Sequence, residues 1–315
     1  MLQTLPATIQ LGLLYALMSL GVYITFRILN FPDLTVDGSF TTGGGIAAIM
    51  IIQGYNPWLA LVGAFFGGLL AGLCTGLLHT KGKINGLLSG ILMMIALHSI
   101  NNRIMGTPNI SLFRIETIFP STSELKAHPH LVWVVFVCVA LGVLVIKLLL
   151  DLFLHTDIGL ALRATGDNDR MIRSFGANTD VTKIIGISLS NGLVALSGGL
   201  VAQSSGYADV YMGVGMIVIG LASVIIGEAI FGTRNVFFAT MAAALGSVVY
   251  RIIVDLALRV RWLEASDLKM ITAFIVIVAL IVPAAQKSWR SSNTARKRAL
   301  ELNAEQNAAG GERHA

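Results

Sequence analysis

Apolar runs of about one membrane thickness alternate with short polar stretches along almost the whole chain, at approximately 5–26, 37–53, 57–78, 84–104, 131–150, 182–203, 210–231, 235–253 and 268–285. Lipid offers no partner to backbone N–H and C=O groups, so a run of about 20 apolar residues is stable there only as a helix that satisfies its own hydrogen bonds. Nine such runs predict an all-α fold, a polytopic transmembrane helix bundle of about nine spans filling residues 1–286. The remainder, 287–315, is polar and basic and reads as a disordered tail. In the third run Gly68, Gly72 and Gly76 form one row at four-residue spacing, and Gly63 and Gly67 a second. Such rows let helix backbones approach closely, which assigns them to architecture rather than to solute contact.

Composition agrees with lipid as the solvent. Of 315 residues 55% are hydrophobic and 12% charged, with mean hydropathy +0.77, against about 25% charge in an ordinary soluble domain. A net charge of +5 raises nucleic acid as a partner, but the cations sit in loops and the tail, where membrane orientation explains them. Threading the loops alternately puts fourteen cations on one face (Arg27, Lys81, Lys83, Arg163, Arg170, Arg173, Lys183, Arg234 and six in the tail) and seven on the other. The richer face is then cytoplasmic, the N-terminus external and the C-terminus cytoplasmic, in an inner (plasma) membrane. Lys147 falls near a span end, where it can snorkel. No Lys or Arg precedes the first apolar run, so Met1–Gln10 opens an uncleaved helix. Cys74 and Cys138 lie inside apolar runs and encode neither a disulfide framework nor a metal cluster.

Laid on itself at an offset of 176 residues, the chain shows a weak repeat between 8–104 and 184–280. Leu17 and Leu20 meet Leu193 and Leu196, Phe31-Pro-Asp33-Leu34 meets Tyr207-Ala-Asp209-Val210, and Leu92-Met-Met94-Ile95 meets Leu268-Lys-Met270-Ile271. The offset crosses five spans, so the copies run in opposite directions, as in inverted-repeat transporters.

The longest connection on the cationic face, 155–178, reads either as a short amphipathic docking helix or as a solvated loop tucked against the bundle. Thr165 or Asp167 can cap a helix there, Met171, Ile172 and Phe175 give an apolar stripe, and Gly176 suits a left-handed stop. Gly159-Leu-Ala-Leu-Arg163-Ala-Thr165-Gly166-Asp167-Asn168, then Gly176, then Ser190-Asn-Gly-Leu-Val-Ala-Leu-Ser-Gly-Gly199, resembles the permease subunits of bacterial ABC importers in the branched-chain amino acid permease superfamily. Asn30-Phe-Pro-Asp33-Leu-Thr-Val-Asp37-Gly-Ser39, Gly220 to Glu228 and Ser266 to Ala273 resemble a subgroup linked in part to aromatic amino acid uptake. The resemblance implies that Gly159 to Gly176, with Arg163, Thr165, Gly166, Asp167, Asn168, Asp169 and Arg170, forms the coupling helix seated on a separate ATPase subunit. It also implies a permease dimer and an extracytoplasmic solute-binding protein, with ATP and Mg held by the partner and no cofactor on this chain. The chain itself has no Walker A pattern.

Polar residues inside the spans are few and costly, at least ~2.5–3.5 kcal/mol for an ionised group at mid-membrane. Asp33, Asp37, Asn191, Gln203, Tyr207 and Asp209 are the candidates for a solute path along broken helices. Surface capping for the aspartates and interhelical bonding for Asn191 are the plainer alternatives. Glu228, a turn from a span end, reads as a structural or gating partner of a nearby cation such as Arg234. His98, Asn101 and Asn102 crowd the outer end of the fourth span, where surface hydration explains them without a metal or a catalytic base. A stand-alone secondary transporter or channel is the other transport reading, against which the sparse buried charge counts. A membrane enzyme lacks a convergent acid, base or nucleophile.

Overall fold

The computed structural model describes residues 5–113, 115–120 and 130–258, together with Met270, Ala273, Phe274, Ile277 and Ile281. In chain order these form α1 (Leu5–Tyr23), α2 (Thr35–Ile52), α3 (Pro57–Thr80), α4 (Gly86–Met105), β1 (Asn109–Ser111), α5 (His130–His155), α6 (Asp157–Asp167), α7 (Asp169–Ser174), α8 (Thr179–Ser205), β2 (Tyr207–Asp209), α9 (Met216–Phe231) and α10 (Val236–Leu258). Among the described residues seven helices are long and apolar enough to cross a membrane. The expected seventh span starts late: α9 opens only at Met216, and its 16 residues reach about 24 Å, less than a ~30 Å hydrocarbon core. The ninth expected span and the tail lie almost wholly outside the described residues.

Local chemistry sets the helix ends. Asn56 accepts from the Trp58 N–H at 2.9 Å with Pro57 in the first turn of α3, and Asn85 accepts from Leu87 N–H at 3.0 Å to start α4. Beyond Tyr23 the first helix loosens into a π-helical turn, Ile24–Ile28, and the chain then leaves it with Asn30 at φ +51°.

α8 is the hub, packed on by α1, α2, α3 and α6. The glycine rows do what their spacing predicts. A Cβ at Gly68, Gly72 or Gly76 would meet the backbone of Asn191, Ile187 or Ile184 on α8, while Gly63 and Gly67 receive Met50 and Ile46 of α2. Hydroxyls stitch the crossings: Ser190 Oγ donates to Gly21 O at 2.6 Å, Ser197 Oγ to Leu14 O at 2.7 Å and Ser247 Oγ to Gly12 O at 2.8 Å. β1 and β2 pair antiparallel, Ile110 opposite Ala208, as a small ribbon at the end of the bundle away from α6.

α5 differs from its neighbours. Only 11% of its most apolar window is buried, against 72% for α1. It also runs to His155, past the expected end at 150, which corrects the reading of Lys147. Instead of snorkelling from a span end, Lys147 is 1% exposed two turns inside the helix. Its Nζ forms an ion pair with Asp151 and stands 3.2 Å over the Phe237 ring of α10.

Candidate functional site

Two places carry the chemistry. The first is where the first turns of α2 and α9 meet inside the bundle. Asp33, 2% exposed, accepts from the Thr35 N–H at 2.9 Å and from Asn191 Nδ2 at 2.7 Å, and Asn191 Oδ1 in turn accepts from Ser39 Oγ at 2.7 Å. Asp37 sits in the first turn of α2, yet it caps the other helix. Its two oxygens accept from Gly215 N–H at 2.9 Å and Ile217 N–H at 2.8 Å, while Gly213 N–H donates to Thr41 Oγ1 at 3.1 Å. Gly215 takes φ +88°, a left-handed value that suits glycine at this re-entry. Helix N-termini carry partial positive charge, so two adjacent carboxylates hold the two starts in place. Asp33 is buried and Asp37 half-buried, and both accept from backbone N–H groups at helix starts, as one reading of the sequence had it, whereas Asp209 does not.

The other path candidates are not brought here. Buried Gln203 accepts from Ile118 N–H at 3.2 Å and donates to Pro57 O at 3.3 Å, which ties the loop after β1 to α3. Asp209 accepts from Tyr211 N–H at 2.7 Å and Asn109 Nδ2 at 3.3 Å, and Tyr207 lies exposed in the ribbon. Sequence reasoning missed the rest of the inner network, Thr35 with Thr75 at 2.8 Å and Thr42 Oγ1 donating to Asn101 Oδ1 at 2.8 Å, and Asn101, expected at a hydrated surface, is instead 2% exposed. The signal was present, since Thr35, Ser39 and Thr42 follow the i, i+4, i+7 rhythm of one helix face.

The second place is the α6–α7 segment. It is helical, and its caps differ from the expected ones. Thr156 accepts from Gly159 N–H at 3.3 Å to start α6, and Asn168 accepts from Met171 N–H at 3.0 Å to start α7. Thr165 instead lies in the last turn of α6, donating back to Ala161 O at 2.7 Å, and Asp167 closes α6. Gly176 ends the element at φ +87°, as its type predicts. Gly159 and Gly166 let α6 touch backbone: a Cβ at Gly159 would overlap the Phe153 carbonyl, and one at Gly166 the Ile28 carbonyl. Asn30 Nδ2 donates to Gly166 O at 3.2 Å, so α6 is joined to the π-helical end of α1. Arg163 and Asp167 line a polar cleft behind α6, whereas Arg170 is exposed on α7.

Glu228 corrects the expected pairing. Its partner is Arg27 on the π-helical turn, Nε to Oε1 at 2.7 Å, rather than Arg234. The latch thus joins the α6-side ends of α1 and α9.

On α7, Asp169 receives Lys183 at 3.1 Å and Arg173 at 3.3 Å, and Arg173 also reaches Asp180 at 3.0 Å. Partial burial pushes the Asp169 carboxyl up, but hydrogen bonds from Thr179 and Lys183 and the charges of Lys183 and Arg173 outweigh it and hold it below its ordinary 3.8. A depressed carboxyl contributes stability that is present above its ordinary value and lost as pH falls through the folded one. Hydrogen exchange of amides 169–174 is therefore expected to stay slow from neutral pH down to about 4 and to quicken below it. Asp169→Asn is expected to remove that acid transition.

Residues 5–281 match the family described as the permease component of branched-chain amino acid transport systems. The chain belongs to this permease family. It is 43% identical over 282 residues, 90% of its length and 92% of the relative's, to the tyrosine transport system permease protein of Clostridioides difficile. More distant relatives are a probable branched-chain amino acid transport permease, LivH, of Methanocaldococcus jannaschii (28% identical; 57% of this chain, 59% of that one) and the galactofuranose transporter permease YtfT of Escherichia coli (25% identical; 57% and 50%). No solved structure matches. As a permease component the chain is a multi-pass inner-membrane subunit that conducts solute and works with partner proteins of a transport system.

Proposed function

We propose that this permease forms half of the passage of an ATP-binding-cassette importer for an amino acid or a similar small organic solute. The α6–α7 end faces the cytoplasm, ATP and Mg are handled by a separate ATPase subunit, and an extracytoplasmic binding protein delivers cargo at the ribbon end. Two copies of the permease complete the path. The tyrosine permease relative, matched over nearly both full lengths, favours an aromatic amino acid as cargo.

The observation that carries the reading is the division of labour in α6–α7. α6 is fixed to the bundle through Gly159, Gly166 and Asn30, while α7 and its C-cap present Met171 and Phe175, the latter 77% exposed, to the surroundings. An apolar pair on a short helix outside the bundle is what a groove in a partner would take. A force on α7 would pass through α6 to the π-helical end of α1, and from there through Arg27 to Glu228 on α9, whose other end Asp37 holds against α2. Movement between inward- and outward-facing states then follows from the partner's binding one arrangement better than the other.

The inverted repeat belongs to the same proposal. The offset of 176 lays α1 on α8 and α3 on α10, and α10 packs on α1 as α3 packs on α8. Two re-entrant starts, α2 and α9, fall at matching points.

The test is recovery of the ATPase. From membranes carrying the whole system, the wild-type permease is expected to co-purify its ATPase subunit, and the double variant Met171→Ala, Phe175→Ala to lose it at least tenfold while keeping its unfolding temperature. ATPase retained in full by that variant refutes the docking assignment, and amino acid uptake in vesicles lacking any ATPase refutes the importer reading.

A further inference from the structure

A polar cleft of about 740 Å³ opens at the α6 end, between the ends of α1, α5, α6, α9 and α10. Its three arginines are not equivalent. Arg27 is satisfied by Glu228, but among the described residues no carboxylate lies within ion-pair distance of Arg163 or Arg234, and the Arg163 Nε is buried with no hydrogen-bond partner. Asp167 shares the cleft without closing an ion pair, and His155 spends Nδ1 on the Asp151 carbonyl at 2.6 Å. The cleft thus holds guanidinium donors that the described protein leaves unused.

The helices around it bear a flank of the opposite character: within a turn of the cleft-lining His155, Glu228, Val236 and Ala239, the side chains of Leu152, Ile230, Phe231 and Phe238 are all exposed. A soluble anion would use the arginines and leave this apolar flank without a role.

We infer that the cleft binds the phosphodiester headgroup of an anionic phospholipid, with Arg163 and Arg234 on the phosphate and the acyl chains along Phe231 and Phe238. Guanidinium forks match phosphate oxygens geometrically as well as electrostatically, and basic pockets between membrane helices on the cytoplasmic side are suited to anionic headgroups. The cytoplasmic position rests on the proposed orientation; the binding chemistry does not. Since the cleft is walled by α6 and by the Arg27–Glu228 latch, an occupied headgroup would brace the elements through which α7 acts.

The experiment uses the full-length permease in mild detergent, read by native mass spectrometry, with phosphatidylglycerol, phosphatidylcholine, diacylglycerol and inorganic phosphate as probes. Phosphatidylglycerol is expected to be retained at least tenfold better than phosphatidylcholine or diacylglycerol. Arg234→Gln, at an exposed loop position that keeps the test open should Arg163→Gln fail to fold, is expected to cut that retention about tenfold, which corresponds to ~1.4 kcal/mol. Equal retention of phosphatidylglycerol and phosphatidylcholine, or an unchanged ratio in Arg234→Gln, overturns the proposal. Displacement of the lipid by millimolar phosphate overturns it in favour of a free-anion pocket. ATPase co-purification reports on the importer reading separately, so the two can fail independently.

Discussion

Lys147→Ala is expected to lower stability by about 3–5 kcal/mol, the cost of leaving a buried charge without its partner, read as a large fall in the unfolding temperature in detergent. Lys147 and Asp151 are both buried on a helix whose mean hydropathy reaches 2.8, and Asp151 is further held by Thr240 Oγ1 at 2.6 Å. Removing the ammonium strands the carboxylate among apolar neighbours with one hydroxyl. The double variant Lys147→Met, Asp151→Leu is expected to recover most of the loss, because paired removal abandons both desolvation costs together. A single variant as stable as wild type would show that the pair is reached by water or headgroups after all.

Gly43→Val is expected to be damaging as well, by a steric route. A Cβ at Gly43 would overlap the Ala195 carbonyl of α8, and backbone cannot swing aside as a side-chain tip can. The α2–α8 contact would have to open, carrying Asn191 away from Asp33 and Ser39. Overpacking of this kind costs ~1–3 kcal/mol or more, and the expected result is little folded protein on size-exclusion chromatography. Gly142 on α5 has no heavy atom within 4 Å of an added Cβ. There Gly142→Ala is expected to be neutral or to stabilise by up to ~1 kcal/mol through helix propensity.

The sequence made the membrane class legible because lipid imposes one solution on a long apolar run, and the glycine rows because close backbone approach needs small residues at a fixed spacing. Partners far apart in the chain were not legible. Glu228 lies 201 residues from Arg27, and no pattern marks the choice of Arg27 over the neighbouring Arg234. The π-helical turn left no residue signature, since Ile24-Thr-Phe-Arg-Ile28 reads as ordinary helix. Lys147 was misplaced for a traceable reason: the apolar run was ended at 150, just before Asp151, although Lys and Asp at i, i+4 are the spacing of an intrahelical pair. Of the path candidates, Asp33, Asp37 and Asn191 converge on the helix break. Gln203, Tyr207 and Asp209 sit away from it, at the ribbon and the loop beside it, because contacts between distant segments set their partners and no local spacing marks these.

That pairing inside a single helix also bears on how the polypeptide is made. Thr240 emerges from the ribosome some 89 residues after Asp151, so the fifth helix leaves the translocon before its later anchor exists. With ammonium and carboxylate one turn apart on the same rod, it enters the bilayer already neutralised, and needs no companion to shield it while the rest of the chain is synthesised.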